Sequence, residues 1–232
     1  MRVLVVQNYD NTDLGQVGAA LGEAGAEIDF RRAHLGEALP ESADAHDAAV
    51  VLGGGQNALA DHEYPYFPTL LELLRDFERR DRAVLGICLG SQIIARAFGA
   101  SNQIGGASEF GWHGVELMES AKNDAVLGAL PKTFPIFQWH DDTSSLPERA
   151  ERLASTAVAE NQAFRIGRAI YGIQFHFEAD RRLLREWNVA FSAYIDEHHP
   201  DWPQRFESEA ERHGPAADAA GLAIARAWVK TI

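Results

Sequence analysis

Short apolar runs alternate with amphipathic stretches over the first hundred or so residues of the chain. Four of these runs are too short for helices and predict buried strands: Val3–Val6, Ile28–Phe30, Ala48–Leu52 and Ala83–Ile87. Between them, apolar residues recur at helical spacing in two stretches: Leu14, Val17 and Leu21, then Leu70, Leu73, Leu74 and Phe77. Strands that alternate with helices in this way pair in parallel. The pattern therefore predicts an α/β fold with a doubly wound, mostly parallel sheet.

The pattern changes in the second half of the chain, where short apolar runs are separated by turn residues. These runs predict extra strands and hairpins added to the sheet: Val115–Met118, Thr133–Trp139, Arg152–Ala157, Ala163–Ile166 and Ala169–Phe175. One helical stripe follows, at Leu184, Trp187, Phe191 and Tyr194 or Ile195. Beyond His198 the chain is first charged and then alanine-rich, which predicts two C-terminal helices. We expect residues 1–198 to form one domain and residues 199–232 a helical extension packed on it.

Composition and charge narrow the classes of function. The formal net charge of −13 argues against a nucleic-acid surface, which needs clustered Lys and Arg. A single cysteine cannot form an internal disulfide, which is typical of a reducing compartment. No stretch approaches the roughly 20 apolar residues of a membrane span, and the first apolar run is too short for a signal peptide. We expect a cytoplasmic protein with no membrane partner; a homodimer through the C-terminal helices stays open.

The only cysteine, Cys88, directly follows a predicted strand and precedes a helical pattern. Gly86 and Gly90 stand two residues to either side of it and let the backbone turn sharply without Cβ clashes. This is the spacing of a nucleophile elbow, with sulfur in place of the serine oxygen. A helix N-terminus stabilises the thiolate form of a residue in that position. A lone cysteine is more often a small buried apolar residue, but this local pattern favours a nucleophile.

A thiol nucleophile usually works with a base and with a group that orients the base. His176 follows an apolar strand, and Glu178 lies two residues on, where an extended chain turns both side chains to the same side. Acyl chemistry also needs donors for the developing oxyanion. The N–H of Leu89, directly after the cysteine, is one candidate, and the glycine run Gly53–Gly55 is the other. Taken alone, that run is equally compatible with a plain turn.

A second polar and aromatic cluster, Gln138–Thr143, ends another predicted strand. It is suited to lining a substrate pocket. His140 with Asp141 and Asp142 could also bind a metal, and the cluster could be a purely structural, hydrogen-bonded loop. We expect neither a metal nor a cofactor. No phosphate-binding glycine motif follows a strand anywhere in the chain.

The motifs around Cys88 and His176 are weak signals of a protein family when taken alone, but together they are specific. The segment Gly86–Gln92 resembles the G-x-C-x-G-x-Q signature of class I glutamine amidotransferases, and Gln174–Glu178 resembles that family's Q-F-H-P-E signature. The resemblance covers roughly the first 195 residues and is closest to stand-alone members similar to the amidotransferase domain of GMP synthase. It implies a flavodoxin-like fold and hydrolysis of glutamine through a γ-glutamyl thioester on Cys88. The ammonia released would pass to a separate synthetase.

The resemblance also implies roles for individual residues. His176 would be the base and acid, Glu178 its orienting partner, and the N–H groups of Gly54 and Leu89 the oxyanion donors. The residues expected to bind substrate are Gly55, Gln92, Gln138, Trp139, His140 and Asp141.

Two residues depart from the family pattern. Phe177 replaces the usual proline between the histidine and the glutamate. This removes a fixed φ and predicts a looser contact between His176 and Glu178. Asp141 stands where relatives often carry glycine, so it would either clash with or recognise a different α-substituent.

Three functions remain open at this level. The first is a glutamine amidotransferase whose ammonia serves another protein, since the chain has no recognisable ATP-binding segment. The second is a γ-glutamyl hydrolase or peptidase, which would differ in its leaving amine and in needing no partner. The third is a non-catalytic binding module on the same fold. A missing nucleophile or base would favour the third, and neither is missing.

Overall fold

Eleven strands and six α-helices make up the computed structural model, which describes residues 1–232. The strands are β1 (Arg2–Gln7), β2 (Glu27–Arg32), β3 (Ala48–Val51), β4 (Ala83–Ile87), β5 (Asn102–Gln103), β6 (Glu109–Leu117), β7 (Thr133–His140), β8 (Thr143–Ser144), β9 (Ala150–Ser155), β10 (Ala163–Ile166) and β11 (Ile170–Ile173). The helices are α1 (Gly15–Glu23), α2 (Phe67–Arg79), α3 (Leu89–Ala97), α4 (Arg181–Ala190), α5 (Ser192–His198) and α6 (Trp202–Val229). Two short 3-10 segments, Ala33–Leu35 and Glu119–Asn123, complete the chain.

Nine of the strands form one sheet in the order β2-β1-β3-β4-β11-β10-β9-β6-β7. The first five are parallel to one another, in the order typical of flavodoxin-like sheets. The remaining four extend one side of the sheet through antiparallel pairs. β5 and β8 pair separately. The predicted doubly wound α/β sheet with added hairpin strands is therefore confirmed.

Helices cover both faces of the parallel strands. Successive strand residues point to opposite sides of a sheet. In β1, Val3 and Val5 accordingly pack with α1, α4 and α6, whereas Leu4 and Val6 pack with α2 and α3. All four side chains are fully buried. Burial on both faces explains why these strands are continuous apolar runs rather than alternating ones.

The predicted helical stripe at Leu184–Ile195 is divided into two helices. α4 ends at Ala190 and α5 begins at Ser192, because Phe191 between them has φ −111° and ψ 21°, outside the helical range. The ring of Phe191 packs edge-on against Trp139, with 5.5 Å between ring centroids. The break therefore directs an aromatic side chain toward the end of β7.

The prediction of two helices beyond His198 is wrong, because the structure has a single helix there. This helix, α6, has 28 residues and contains Pro215. The proline removes one backbone hydrogen bond. Buried residues on both sides of it, such as Phe206 and Ile224, hold the helix in one piece against β7 and α1. Neither α6 nor any shorter helix combines the length and apolar content needed to cross a membrane.

Candidate active site

Cys88 forms the turn between β4 and α3. Its φ of 52° is positive, a conformation that is uncommon outside glycine. Its N–H donates to the carbonyl of Ile173 at 2.8 Å, which ties the turn to β11. The flanking glycines are needed for space, since neither has a positive φ. A Cβ on Gly86 would collide with the backbone of Gly90, and one on Gly90 would collide with the carbonyl of Val51.

His176 and Glu178 lie in the loop that follows β11. His176 Nδ1 is 2.7 Å from Glu178 Oε1, and both side chains are buried. The chain between them is not extended, because the N–H of Phe177 bonds the carbonyl of Phe175 at 3.2 Å in a tight turn. The looser contact predicted from Phe177 is not observed. A turn, rather than strand alternation, brings the imidazole and the carboxylate together.

The imidazole of His176 faces Cys88. A Cβ on Gly53 would lie 3.3 Å from His176 Cε1 and 3.5 Å from Cys88 Cβ, so the loop after β3 lies against both side chains. Burial alone would lower the pKa of His176. The charges and hydrogen bonds of Glu178 and Cys88 outweigh it and hold the pKa well above its usual value. This environment therefore favours an imidazolium at neutral pH. The thiol of Cys88 also has the carbonyl of Trp139 at 3.7 Å from Sγ.

The two candidate oxyanion donors belong to residues that touch each other. Leu89 is the first residue of α3, and the N–H groups of a first helical turn have no acceptor within the helix. A Cβ on Gly54 would lie 3.0 Å from Leu89 Cδ2. Both residues line the same cavity as Cys88. Their donation to a substrate oxygen stays a prediction.

A cavity of about 380 Å³ opens over Cys88 and His176. Its wall includes five of the six residues expected to bind substrate: Gly55, Gln92, Trp139, His140 and Asp141. Asp142, the other carboxylate of the Gln138–Thr143 cluster, lies in the wall as well. The wall also includes residues for which the sequence predicts no site role: Tyr9, Thr12, Gln56, Asn57, Trp187, Phe191 and Tyr194. No Lys or Arg side chain lines it. The cavity is therefore acidic and aromatic, which suits a ligand with a positively charged group.

Gln138 is the one predicted substrate residue that lies outside the cavity wall. Its side chain is fully buried, and its amide nitrogen donates to Gln162 Oε1 at 3.0 Å. Gln162 in turn donates to Glu109 Oε2 at 2.6 Å, and that oxygen is 3.3 Å from His140 Nε2. Gln138 thus belongs to a buried polar group that includes His140 of the cavity wall, because its amide nitrogen is already engaged there. No group of three or more His, Cys, Asp or Glu side chains is arranged to hold a metal ion.

Aromatic side chains form the part of the wall contributed by α4 and α5. Trp187 packs edge-on against the ring of His176, with 5.1 Å between centroids, and its Nε1 donates to the carbonyl of Asn11 at 3.0 Å. Tyr194 lies 6.0 Å from Trp139, with its hydroxyl 3.5 Å from Asp141 Oδ2. The helical stripe in the sequence indicates only that Trp187 and Tyr194 share one helix face. Nothing in that spacing distinguishes a core position from a cavity wall.

Residues 6–186 match the protein family described as glutamine amidotransferase class-I. The chain is 33% identical to the glutamine amidotransferase-like protein YfeJ of Salmonella typhimurium, over 67% of this chain and 66% of that protein. It is 31% identical to gamma-glutamyl peptidase 3 of Arabidopsis thaliana, over 72% and 69%. It is 32% identical to a glutamine-hydrolysing GMP synthase subunit of Methanospirillum hungatei, over 56% and 63%. The matches span about two thirds of the length of these relatives.

One solved structure extends the likeness along nearly the whole chain. The crystal structure of a glutamine amidotransferase from Thermotoga maritima is similar with a TM-score of 0.86 at 29% identity. The superposition covers 98% of each chain, so it includes the C-terminal helix that lies beyond residue 186.

Proposed function

The chain belongs to the class I glutamine amidotransferase family, and on that premise we propose that it hydrolyses the side-chain amide of glutamine with Cys88 as nucleophile. One observation carries the proposal. The imidazole of His176, bonded to Glu178 at 2.7 Å, shares a cavity with Cys88 at the strand-to-helix turn. A nucleophile, a base and an orienting carboxylate are the three groups that such chemistry needs.

In the first half of the proposed reaction the Cys88 thiolate attacks the side-chain carbonyl carbon of glutamine. The negative charge that develops on the carbonyl oxygen is stabilised by the N–H groups of Leu89 and Gly54. His176, as imidazolium, gives its proton to the departing nitrogen. The C–N bond breaks, ammonia leaves, and the γ-glutamyl group remains on sulfur as a thioester. The raised pKa of His176 supports this step, since it favours the protonated imidazole at neutral pH.

In the second half, water replaces the sulfur. Neutral His176 takes a proton from water, which attacks the thioester carbonyl. The C–S bond breaks, glutamate leaves, and the thiolate and the imidazolium are restored. Glu178 stays ionised throughout and keeps the imidazole in one orientation, as the carboxylate does in other catalytic triads.

The acidic wall of the cavity supports an amino-acid substrate. Asp141 and Asp142 are its only carboxylates, and it has no Lys or Arg. The carboxylate of Asp142 already accepts from the backbone N–H of Gly105 at 2.7 Å. Asp141 is exposed and accepts from the hydroxyl of Ser108 through Oδ1. Its second oxygen has only the hydroxyl of Tyr194 nearby, at 3.5 Å, and it is the group we assign to the α-ammonium of the substrate.

A γ-glutamyl amide or peptide is the second candidate substrate. The rings of Trp139, Phe191 and Tyr194 give the cavity an apolar surface that departing ammonia would not use. A larger leaving amine would pack against it, and one relative is named a γ-glutamyl peptidase. The first candidate instead implies a separate synthetase that accepts the ammonia. A relative named as a subunit of GMP synthase supports that arrangement.

The test is product release by the isolated chain from glutamine and from a set of γ-glutamyl amides and peptides. We expect ammonia and glutamate in equal amounts from glutamine, none from Cys88→Ala, and unchanged release from Gly114→Ala, which introduces only ordinary contacts. The reagent 6-diazo-5-oxo-norleucine should add one label, on Cys88. Amine release from γ-glutamyl peptides without ammonia from glutamine would select the second substrate. A wild-type chain with neither release nor labelling would contradict an enzymatic role.

A further inference from the structure

One residue of α1, Gln16, is hydrogen-bonded to the backbone of the loop that carries Glu178. The backbone N–H of Gln16 donates to the carbonyl of Glu178 at 2.8 Å. Its side-chain amide donates to the carbonyl of Phe177 at 2.9 Å. Gln16 is only 8% exposed, so water does not compete well for these bonds. Two successive carbonyls of the loop are thus bonded to a single residue that is distant in sequence.

Two helices approach this loop so closely that only glycine fits at each contact. Gly15, at the start of α1, has φ 46°, and a Cβ there would collide with the carbonyl of Glu178. On the other side, a Cβ on Gly221 of α6 would collide with the carbonyl of Phe177 and the amide nitrogen of Gln16. The side chain of Gln16 is therefore confined between α6 and the loop.

The carboxylate of Glu178 has few contacts of its own to keep it in place. Oε1 is bonded to His176, whereas Oε2 is buried without a hydrogen-bond partner. The orientation of the Glu178 carboxylate therefore depends on the backbone of the loop. A proline before the glutamate would fix one backbone angle covalently. Phe177 does not, although its ring is fully buried.

We propose that Gln16 is a positioning residue, which holds the backbone of Phe177 and Glu178 so that the carboxylate stays on His176. Gln16 touches neither the thiol nor the cavity, so it acts through Glu178 alone. The inference rests on the proposed function only for the role of Glu178. It accounts for a 2.7 Å contact to His176 in a loop that lacks the proline.

The test uses the rate at which iodoacetate alkylates Cys88, the only cysteine, as a function of pH. An anionic reagent reacts fastest when the thiolate has an imidazolium beside it, so the fall in rate at alkaline pH follows the deprotonation of His176. Glu178 and Cys88 are the charged groups that raise the pKa of His176. A displaced Glu178 would lower that pKa and move the alkaline limb to lower pH.

Three variants define the experiment. Gln16→Met keeps the length of the side chain and the backbone N–H but loses the amide donor. Glu178→Gln marks the full effect of removing the charge. Glu23→Gln, at the other end of α1, breaks only the surface pair with Arg226 of α6 and serves as the matched control. We expect the alkaline limb to shift by about one pH unit in Gln16→Met. The shift should be larger in Glu178→Gln and absent in Glu23→Gln.

The proposal would be overturned if the alkylation rate fell at the same alkaline pH in Gln16→Met as in the wild type, in protein with an unchanged melting temperature. Should Gln16→Met fail to fold, Gly221→Ala tests the same contact from α6, and an unmoved limb there overturns it equally. The readout needs no turnover. A shifted limb in a chain that releases no ammonia would keep the positioning role and remove the proposed function. If the alkaline limb does not shift but the enzyme releases ammonia, the proposed function stands and the positioning role is excluded.

Discussion

Replacing Glu178 by glutamine tests how much of the rate depends on the charge beside His176. The two side chains are 2.7 Å apart and only 7% and 3% exposed. Unit charges about 4 Å apart interact by about 4 kcal/mol at the effective dielectric constant of about 20 that describes protein sites. Glutamine keeps an acceptor oxygen for the imidazole N–H and so recovers part of this. We therefore expect the imidazolium to lose about 2–4 kcal/mol of stabilisation.

In the second half of the reaction neutral His176 becomes an imidazolium, and for that step the loss converts to a fall in kcat of about 30- to 1,000-fold, since each 1.36 kcal/mol is a factor of ten. The KM for glutamine should change little, because Glu178 does not line the cavity. The alkaline limb of the pH–rate profile should also move to lower pH, because the pKa of His176 is raised in part by Glu178. Glutamate production measured from neutral to alkaline pH with a coupled dehydrogenase would give kcat, the KM and the position of the alkaline limb.

Two results would refute this reasoning. A variant within twofold of wild type, with the same alkaline limb, would show that the carboxylate charge contributes nothing to the reaction. A loss equal to that of His176→Ala would instead give Glu178 a direct chemical role, since an orienting group should cost less than the base it orients. Glu207→Gln is the matched control, because that glutamate is exposed and pairs only with Arg185.

Three further predictions concern the substrate, the elbow and the stability of the fold. Asp141→Gly should raise the KM for glutamine about tenfold, the effect of one lost charge-assisted hydrogen bond, with kcat nearly unchanged; a fall in kcat alone would contradict the assignment. Gly90→Ala should lower stability to urea by about 1–3 kcal/mol and slow alkylation of Cys88, because its Cβ meets the carbonyl of Val51, whereas Gly114→Ala should change neither. The N–H of Ala43, and then the guanidinium groups of Arg80 and Arg79, lower the pKa of Asp76 to about 2. Asp76→Asn should therefore cost about 1–2 kcal/mol at pH 7, after allowance for solvent screening at this half-buried site. That difference should disappear as the pH falls from about 4 through 2, and a difference that persists at pH 2 would exclude the carboxylate as its source.

The central strands could be predicted from the sequence because burial on both faces leaves an uninterrupted apolar run. The strand-to-helix turn at Cys88 could also be predicted, because a strand, two glycines and a helix lie within the fifteen residues from Ala83 to Ala97. The edge strand β2 shows the limit of this signal. Its apolar residues Ile28 and Phe30 are partly exposed, so a run of three residues underestimates a strand of six.

Other features depend on contacts that no local pattern contains. Gln138 lies near the end of β7 beside cavity residues, but its partner Gln162 comes from a different hairpin. Spacing alone cannot tell a substrate ligand from a buried polar group. The continuity of α6 through Pro215 likewise depends on apolar residues that pack on β7 and α1, which outweigh the local cost of the proline.

Gln16 is the extreme case, since 161 positions separate it from the carbonyl that it holds. Glutamine at the start of a helix has no signature as a positioning group. The fold brings α1 to the loop after β11. The close approach of Gly221 then shows that the side-chain amide of Gln16 is confined to one position.

The same contact sets an order of events during synthesis on the ribosome. Of the three, Gln16 is translated first, the loop at Phe177 later, and Gly221 last. The space that confines the amide of Gln16 therefore cannot close until α6 has emerged from the exit tunnel. A nascent chain already carries its cysteine by residue 88, yet it lacks the finished support for Glu178 until more than a hundred further residues have been added. The reactivity proposed for Cys88 is thus completed last, by a helix that contributes no side chain to the cavity wall.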